Sequence, residues 1–401
     1  MSTLSVVTNE GWLIPYVACA YVGLGMLTHF LGVLRRFIER RLRMAAQSAK
    51  GLADNPDLPY PVVSSTPWTP ANWILPASVL AILASVVVWQ ARPVTKGADH
   101  VRWQEFGRIP ILFEGRAQPI DTLARNTLRI ISNKQSYREL RGDETLQEAA
   151  KGPRNPAIHW LLDVIAASEE GRKQRVFKID NLAVQNLLKV DRRKGALYSL
   201  DEIGPRLGEL GTQAEEAQKL KDRDPTRLTV DQRKILEVAD RLTAFVRVQK
   251  AFQPTAFPQM PSPSEQQSNP DQAQKDVQEL AKLAMEAMSR ARNSKSSGMP
   301  LIVPAEREDA WLPFGSAVDV AYLGQVMQST APSPWVVSWS RIVDAYAEKD
   351  WEAFDRSVAV YRRELERRKL SYLDLERIDF EAFFNHWEPL RLATIGYLLG
   401  F

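Results

Sequence analysis

The histidines are the side chains of this sequence most able to bind a metal or a haem iron. They are His29, His100, His159 and His386. None of them lies in an HxxxH or HExxH arrangement, so their spacing does not predict a multi-ligand metal site. His29 lies in an apolar run, where ionisable groups are often functional, and its neutral ring nitrogen could bind a haem iron. The alternative for His29 is a hydrogen bond to a neighbouring helix or to a lipid headgroup.

His386 is the second candidate haem ligand. It precedes the apolar C-terminal segment, at a point where a ligand could be passed on, but a histidine at a helix end also interacts with the carbonyl groups of that end. His159 lies in an apolar, helix-like run, which favours a hydrogen-bonded core histidine. The candidate ligands are therefore compatible with a haem cofactor, but they do not require a cofactor.

Motifs of known catalytic chemistry are missing from the sequence. No GxSxG, phosphate-binding loop or GxGxxG precedes a predicted helix. Acidic pairs such as Asp201/Glu202 and Glu215/Glu216 lie in charge-rich helical segments and are typical of solvated faces. We therefore expect no catalytic site in this chain, and a reaction would need a partner or a continuation of the chain.

Composition narrows the class of protein further. The chain has 401 residues, a net charge of +4 and a single cysteine, Cys19. The net charge is small for this length and no basic stripe with interleaved aromatic residues occurs, so nucleic acid is not expected as a partner. One cysteine excludes a disulfide framework and a CxxC redox pair.

Two apolar runs near the N-terminus predict how the chain is organised. Residues 12–34 and 73–90 contain no Asp, Glu, Lys or Arg and are long enough to cross a hydrocarbon core of about 30 Å. Arginines cluster after the first run, which places that flank in the cytoplasm by the positive-inside rule. The expected order is an extracytoplasmic N-terminus (1–11), a transmembrane helix (12–34), a cytoplasmic loop (35–72), a second transmembrane helix (73–90), an extracytoplasmic domain (91–388) and an incomplete third span (389–401).

The large domain is expected to be mainly α with minor β. Apolar residues recur at helical spacing in a strongly amphipathic segment at 349–368. Residues 207–300 are expected to form a helical and low-complexity insertion, with helices broken at Asp224–Pro225. The predicted fold class is therefore membrane-anchored, with two N-terminal transmembrane helices followed by a large α-rich extracytoplasmic domain. The predicted location is the cytoplasmic membrane, where the chain would be a multi-pass protein.

The stretch from Phe106 to Leu140 follows the second apolar run directly. Its pattern predicts a strand at Ile109–Phe113, a turn at Glu114–Arg116 and then a helix with Asp121 as its N-cap. Arginines surround the stretch and could bind propionate or phosphate groups, pair with carboxylates of the fold, or contact lipid headgroups.

The amino-acid sequence of this stretch resembles membrane proteins of system II cytochrome c biogenesis, of the CcsA/ResC and CcsB/ResB type. The segment FEGRAQPIDTLARNTLRIISNKQSY matches a family pattern found just outside the membrane. The matching positions that we treat as the motif are Gly115, Arg116, Pro119, Asp121, Thr122 and Arg125. The C-terminal segment FFNHWEPLRLATIGYLLGF is similar to the return of that family to the membrane.

The resemblance implies a component of cytochrome c maturation that delivers haem or docks the apocytochrome at the outer face of the membrane. Its implied partners are a haem-handling synthase subunit or apocytochrome c. The Trp-rich haem-holding loop of the family has no counterpart here, so the haem-holding core would lie on a partner. The alternative is a non-catalytic scaffold subunit of a larger respiratory or photosynthetic membrane complex.

Overall fold

The computed structural model describes residues 14–53, 85, 101–138, 154–258, 268–305, 307, 310–328, 330–390 and 393–394. The chain divides into two compact units, Met1–Arg92 and Pro93–Phe401. The second unit contains the motif stretch and His386, whereas His29 belongs to the first.

The described part of the first unit is mainly one long helix, α1 (Ile14–Ala53). At 1.5 Å per residue its 40 residues extend over about 60 Å. The helix continues without a break beyond Leu34, where the predicted span ended, and through the exposed arginines that follow. The apolar run is thus one part of a longer helix whose other part is charged.

The membrane prediction is corrected by this structure. Within the described residues, no helix combines the length and the apolar character needed to span a membrane. The predictions of a membrane-anchored fold and of a multi-pass protein with a periplasmic main domain are therefore wrong. The predicted second span (73–90, apart from Ser85) and most of the incomplete third span (389–401) lie outside the described residues.

The second unit is mainly helical, as the sequence pattern predicts. The α-helices among its described residues are, in chain order, α2 (Trp103–Gly107), α3 (Ile120–Ser132), α4 (Ala157–Ile165), α5 (Glu169–Lys173), α6 (Leu182–Leu188), α7 (Leu200–Ile203), α8 (Leu207–Arg223), α9 (Val230–Phe252), α10 (Pro270–Arg292), α11 (Phe314–Gln328), α12 (Pro334–Ala347), α13 (Trp351–Arg368) and α14 (Leu375–Trp387). The break between α8 and α9 contains Asp224–Pro225, as predicted.

The strands of the described residues are short and form antiparallel pairs. The pairs are β1 (Pro110–Phe113) with β2 (Arg116–Pro119), β3 (Ser136–Tyr137) with β4 (Asn155–Pro156), and β5 (Phe177–Lys178) with β6 (Leu197–Tyr198). Leu112 also exchanges backbone hydrogen bonds of 2.9 and 2.8 Å with Leu301, which ties the first pair to a distant loop.

A continuous apolar core joins these elements. The amphipathic segment at 349–368 is confirmed as α13, and its residues Phe354, Val358, Tyr361 and Leu365 are buried. The core also includes side chains of α8 and α9, and α9 packs against α3. Helices of the 207–300 segment therefore share the core that positions the motif stretch.

A partly buried capping arrangement at α7 leads to a prediction about pH. Glu202 accepts hydrogen bonds from the Ser199 backbone N–H (2.8 Å) and pairs with Arg193 (2.8 Å) and Arg175 (3.1 Å). Burial opposes ionisation of Glu202, but these donors and cations outweigh it and lower the pKa of its carboxyl group. Because the pKa is lower in the folded state, this stabilisation is present above the ordinary pKa near 4.3 and is lost as the pH falls through the folded value.

We therefore expect Glu202→Gln to lower the free energy of unfolding by about 1 kcal/mol at pH 7. The difference from wild type should shrink as the pH falls below about 4, because the wild-type carboxylate then becomes protonated as well. Urea denaturation at several pH values measures this difference, with Glu216→Gln on exposed α8 as the control. A difference that is constant with pH would contradict the assigned ion pairs.

Candidate functional site

The hairpin β1–β2 places the start of the motif against α14. Its two-residue loop is Glu114–Gly115, with φ of 52° and 78°. Positive φ at both positions is the backbone of a type I′ turn, and glycine adopts it without a Cβ clash. Gly115 therefore forms the tight turn that orients Arg116 on the following strand.

Helix α3 begins directly after β2, and its first two turns carry the motif residues Asp121, Thr122 and Arg125. Its N-cap is Pro119, so the prediction that Asp121 caps the helix is wrong. Asp121 instead lies in the first turn, where it accepts a hydrogen bond of 2.7 Å from Arg125, four residues later. Thr122 is buried and turns its hydroxyl group toward α14.

Glu381 of α14 receives the motif side chains. Its carboxylate accepts two hydrogen bonds from the Arg116 guanidinium, at 2.7 and 3.0 Å, and one of 2.7 Å from the Thr122 hydroxyl. The Thr122 hydroxyl in turn accepts a hydrogen bond of 2.8 Å from the Asn385 side-chain amide. Arg116 and Thr122 thus join two segments that are about 260 residues apart in sequence.

The C-terminal end of α14 is held by a second ion pair. Arg125 lies 3.5 Å from Glu388, which follows the helix in the left-handed conformation with a φ of 47°. We call the set of residues Arg116, Asp121, Thr122, Arg125, Glu381, Asn385 and Glu388 the α3–α14 interface. Of the roles considered for the motif arginines, pairing with carboxylates of the fold is the one that this geometry provides for Arg116 and Arg125.

The α3–α14 interface predicts measurable coupling between its charges. A bidentate arginine–carboxylate pair is stronger than a simple surface pair, and Glu381 is only partly exposed. A double-mutant cycle of Arg116→Met and Glu381→Gln should therefore give a coupling energy of about 1 kcal/mol in urea denaturation. The exposed pair Arg356–Glu352 on α13 is the reference, for which we expect less than about 0.5 kcal/mol. Equal coupling in both pairs would contradict the interface.

His386 lies beside the α3–α14 interface and is partly buried. Its Nδ1 atom lies 3.1 Å from the side-chain nitrogen of Gln104. When that amide donates, Nδ1 is the acceptor and the proton of the neutral ring is on Nε2. Binding an iron through Nε2 would require the Gln104 amide to turn so that its oxygen accepts from Nδ1–H instead. His29 is exposed on α1 in the first unit.

Metal and haem chemistry gains no support from these residues. Among the described residues, no group of three or more His, Cys, Asp or Glu side chains could hold a metal ion. The motif residues Arg116, Thr122 and Arg125 contact side chains of α14, as described above, and their contacts are structural. The expectation that haem and cytochrome c biogenesis would characterise this chain therefore finds no support in the described structure.

The outward face of α14 is the feature that sequence reasoning missed. Phe380, Phe383, Phe384 and Trp387 recur at spacings of three and four residues, on a face of α14 away from the one that carries Glu381 and Asn385. We call these four residues the aromatic stripe, and Leu390 follows it just beyond the end of the helix.

The aromatic stripe is partly accessible and internally packed. Phe380 is 53% exposed, whereas Phe383, Phe384 and Trp387 are half-buried, and Leu390 beyond the helix is 77% exposed. Phe383 stacks on Trp387 with ring centroids 6.0 Å apart, and Phe380 lies 6.2 Å from Phe384. The helical spacing of these aromatic residues was visible in the sequence, but spacing alone does not say whether a face is turned toward the core or away from it.

Comparisons with known proteins were made for the whole chain. No protein-family model, no curated protein and no solved structure matches it. The resemblance to cytochrome c biogenesis proteins therefore stays a prediction from the motif residues.

Proposed function

We propose that this chain is a non-catalytic subunit that docks a partner protein through the aromatic stripe of α14. The observation that carries the proposal is the position of the stripe: its rings lie away from the polar face of α14 that the motif engages, and Phe380 among them is exposed. In a helix that only completes a core, the apolar face would be turned inward.

The energetics favour this role for the stripe. Exposed clusters of large apolar side chains are typical of interaction sites. Phe and Trp supply large contact areas and are enriched among the residues that dominate binding energy. Fully burying an exposed side chain of this size contributes roughly 1.5–3 kcal/mol. A partner gains most from Phe380 and less from the rings that are already half-buried.

The polar contacts of the α3–α14 interface support the same role. Glu381, Asn385 and Glu388 are each engaged by a residue of the motif. A helix anchored along one side presents a rigid opposite face, and rigid presentation reduces the entropy that binding would otherwise cost. The motif then contributes to function by positioning α14.

Site-specific photo-crosslinking tests the proposal in cells that naturally contain the protein. A benzoylphenylalanine at position 380 keeps an aromatic ring in the stripe, and one at position 285 replaces Met285, a still more exposed residue of α10. We expect a discrete adduct from position 380, identified by mass spectrometry, and none of that mass from position 285. Failure to form an adduct at 380, or the same adducts at both positions, would contradict docking through the stripe.

The second candidate function is cytochrome c maturation, the process to which such docking would then contribute. It rests on the resemblance of two separate segments to that family, and Thr122 of the first segment and Asn385 of the second are in contact in the folded chain. The docked partner would then be apocytochrome c or a synthase subunit. Deleting the gene should lower the amount of mature c-type cytochromes, and an unchanged amount would contradict this candidate.

A further inference from the structure

Glu376 lies in line with the aromatic stripe, at its N-terminal end. It precedes Phe380 by one helical turn and is therefore on the same outward face of α14. Its side chain is exposed, and no described residue forms an ion pair with it. The other carboxylates of the helix differ in this respect, since Asp379 pairs with Arg362, and Glu381 with Arg116.

A partner that covers Phe380 must also cover or border Glu376. Removing an ionised carboxylate from water costs several kcal/mol unless a cation or hydrogen-bond donors replace the water. Two arginines that reach α14 from other elements are already engaged: Arg362 donates to Asp379 at 2.9 and 3.0 Å, and Arg116 to Glu381. The compensating cation must therefore come from the partner.

The exposed acidic groups extend beyond Glu376 at this end of the helix. Asp374 is the exposed N-cap, whose carboxylate accepts a hydrogen bond of 3.0 Å from the Arg377 backbone N–H. Asp374 and Glu376 carry negative charge where the stripe begins, and the cation between them and Phe380, Arg377, is half-buried and already has an interaction of its own. Charge of this sign repels an anionic surface and attracts a basic one.

We infer that the aromatic stripe binds an amphipathic helix of a partner protein that carries lysine or arginine beside its apolar face, positioned to pair with Glu376. This inference rests on the proposed docking function and specifies the chemistry of the partner. An apolar helix face supplies the contact area, as in helix-in-groove recognition, and the basic residue fixes the orientation and register of the bound helix.

Two designed peptides provide the probes. Both have the same helical pattern of leucines; one carries lysine at the positions that flank the apolar face, and the other carries glutamate there. Fluorescence anisotropy with the full chain measures the affinity of each peptide at physiological ionic strength. We expect the Leu/Lys peptide to bind at least about tenfold more tightly than the Leu/Glu peptide, since the lysines relieve the desolvation of Glu376.

Two variants locate the binding. Glu376→Gln should reduce the preference for the Leu/Lys peptide several-fold, because a neutral amide no longer selects a cation. Phe380→Ser, at an exposed position where folding is not at risk, should weaken both peptides. Glu216→Gln on α8 is the matched control for a lost surface charge, and it should leave both affinities unchanged.

Three results would overturn the inference. Equal affinity for the two peptides would show that charge plays no role in recognition. It would not contradict docking through the stripe, because crosslinking from position 380 tests docking separately. A preference that survives Glu376→Gln would place the charge recognition elsewhere. Binding to vesicles of phosphatidylcholine and phosphatidylglycerol in preference to the Leu/Lys peptide would assign the stripe to a lipid surface.

Discussion

Replacing Arg362 with methionine is expected to lower the free energy of unfolding of the second unit by about 3 kcal/mol. The Arg362 side chain is only 9% exposed. Its guanidinium donates two hydrogen bonds to Asp379 of α14, at 2.9 and 3.0 Å, and a third of 3.0 Å to the backbone carbonyl of Arg108. The substitution leaves a carboxylate and a carbonyl without their donor, and both costs add to the lost contacts.

Urea denaturation followed by tryptophan fluorescence measures this effect. Arg356→Met is the matched control, because Arg356 lies on the same helix and forms an exposed pair with Glu352 at 2.9 Å. We expect the control to change stability by less than about 0.5 kcal/mol. Similar losses in the two variants would show that Arg362 contributes no more than an ordinary surface arginine.

Gly315→Ala is expected to destabilise the second unit by about 3 kcal/mol, through a clash of backbone atoms. Gly315 lies in the first turn of α11, against the end of α9. A Cβ at this position would lie 2.2 Å from the carbonyl oxygen of Gln253 and 2.5 Å from its carbonyl carbon. Because backbone atoms cannot rotate away, α9 and α11 must separate to make room.

Gly208→Ala distinguishes this clash from the general effect of adding a methyl group. Gly208 lies in α8, and no atom is within 4 Å of the Cβ that would be added. There alanine should stabilise the protein by about 0.5–1 kcal/mol, since it has the higher helix propensity. Thermal denaturation of both variants gives the comparison, and a Gly315→Ala protein as stable as wild type would contradict the contact between α9 and α11.

The local elements of this fold could be predicted from the sequence where one strong pattern dominates. The apolar spacing from Trp351 to Leu365 predicts α13, and Asp224–Pro225 predicts the break between α8 and α9. Strand β2 was missed because Arg116–Pro119 has no β-branched or aromatic residues, and its pairing with β1 determines its conformation. Pro119 took the N-cap position expected of Asp121, so the helix began one residue before Asp121.

The candidate site depends on contacts that a single sequence does not reveal. Arg116 and Glu381 meet only after the chain between them has folded, and neither residue has a local signal that names its partner. The apolar run at 12–34 led to a different error, the prediction of a membrane span. An apolar helix of that length is also the signal for such a span. The arginines after Leu34 continue the same helix in the structure.

The orientation of the aromatic stripe is the part of the site most dependent on structure. Phe380, Phe383 and Trp387 have the spacing of a buried helix face, and a sequence pattern alone favours a place in the core for them. The contacts of Glu381 and Asn385 reverse that assignment, because they place the polar face of α14 against the motif.

Hydrogen exchange of the α14 amides in the full chain tests most directly whether the α3–α14 interface holds this helix with its stripe outward. In Glu381→Gln we expect those amides to exchange at least about tenfold faster than in wild type, while the amides of α10 remain unchanged. This pattern would show that the motif acts by positioning α14. Unchanged exchange in α14 would contradict that role and leave the stripe without its structural basis.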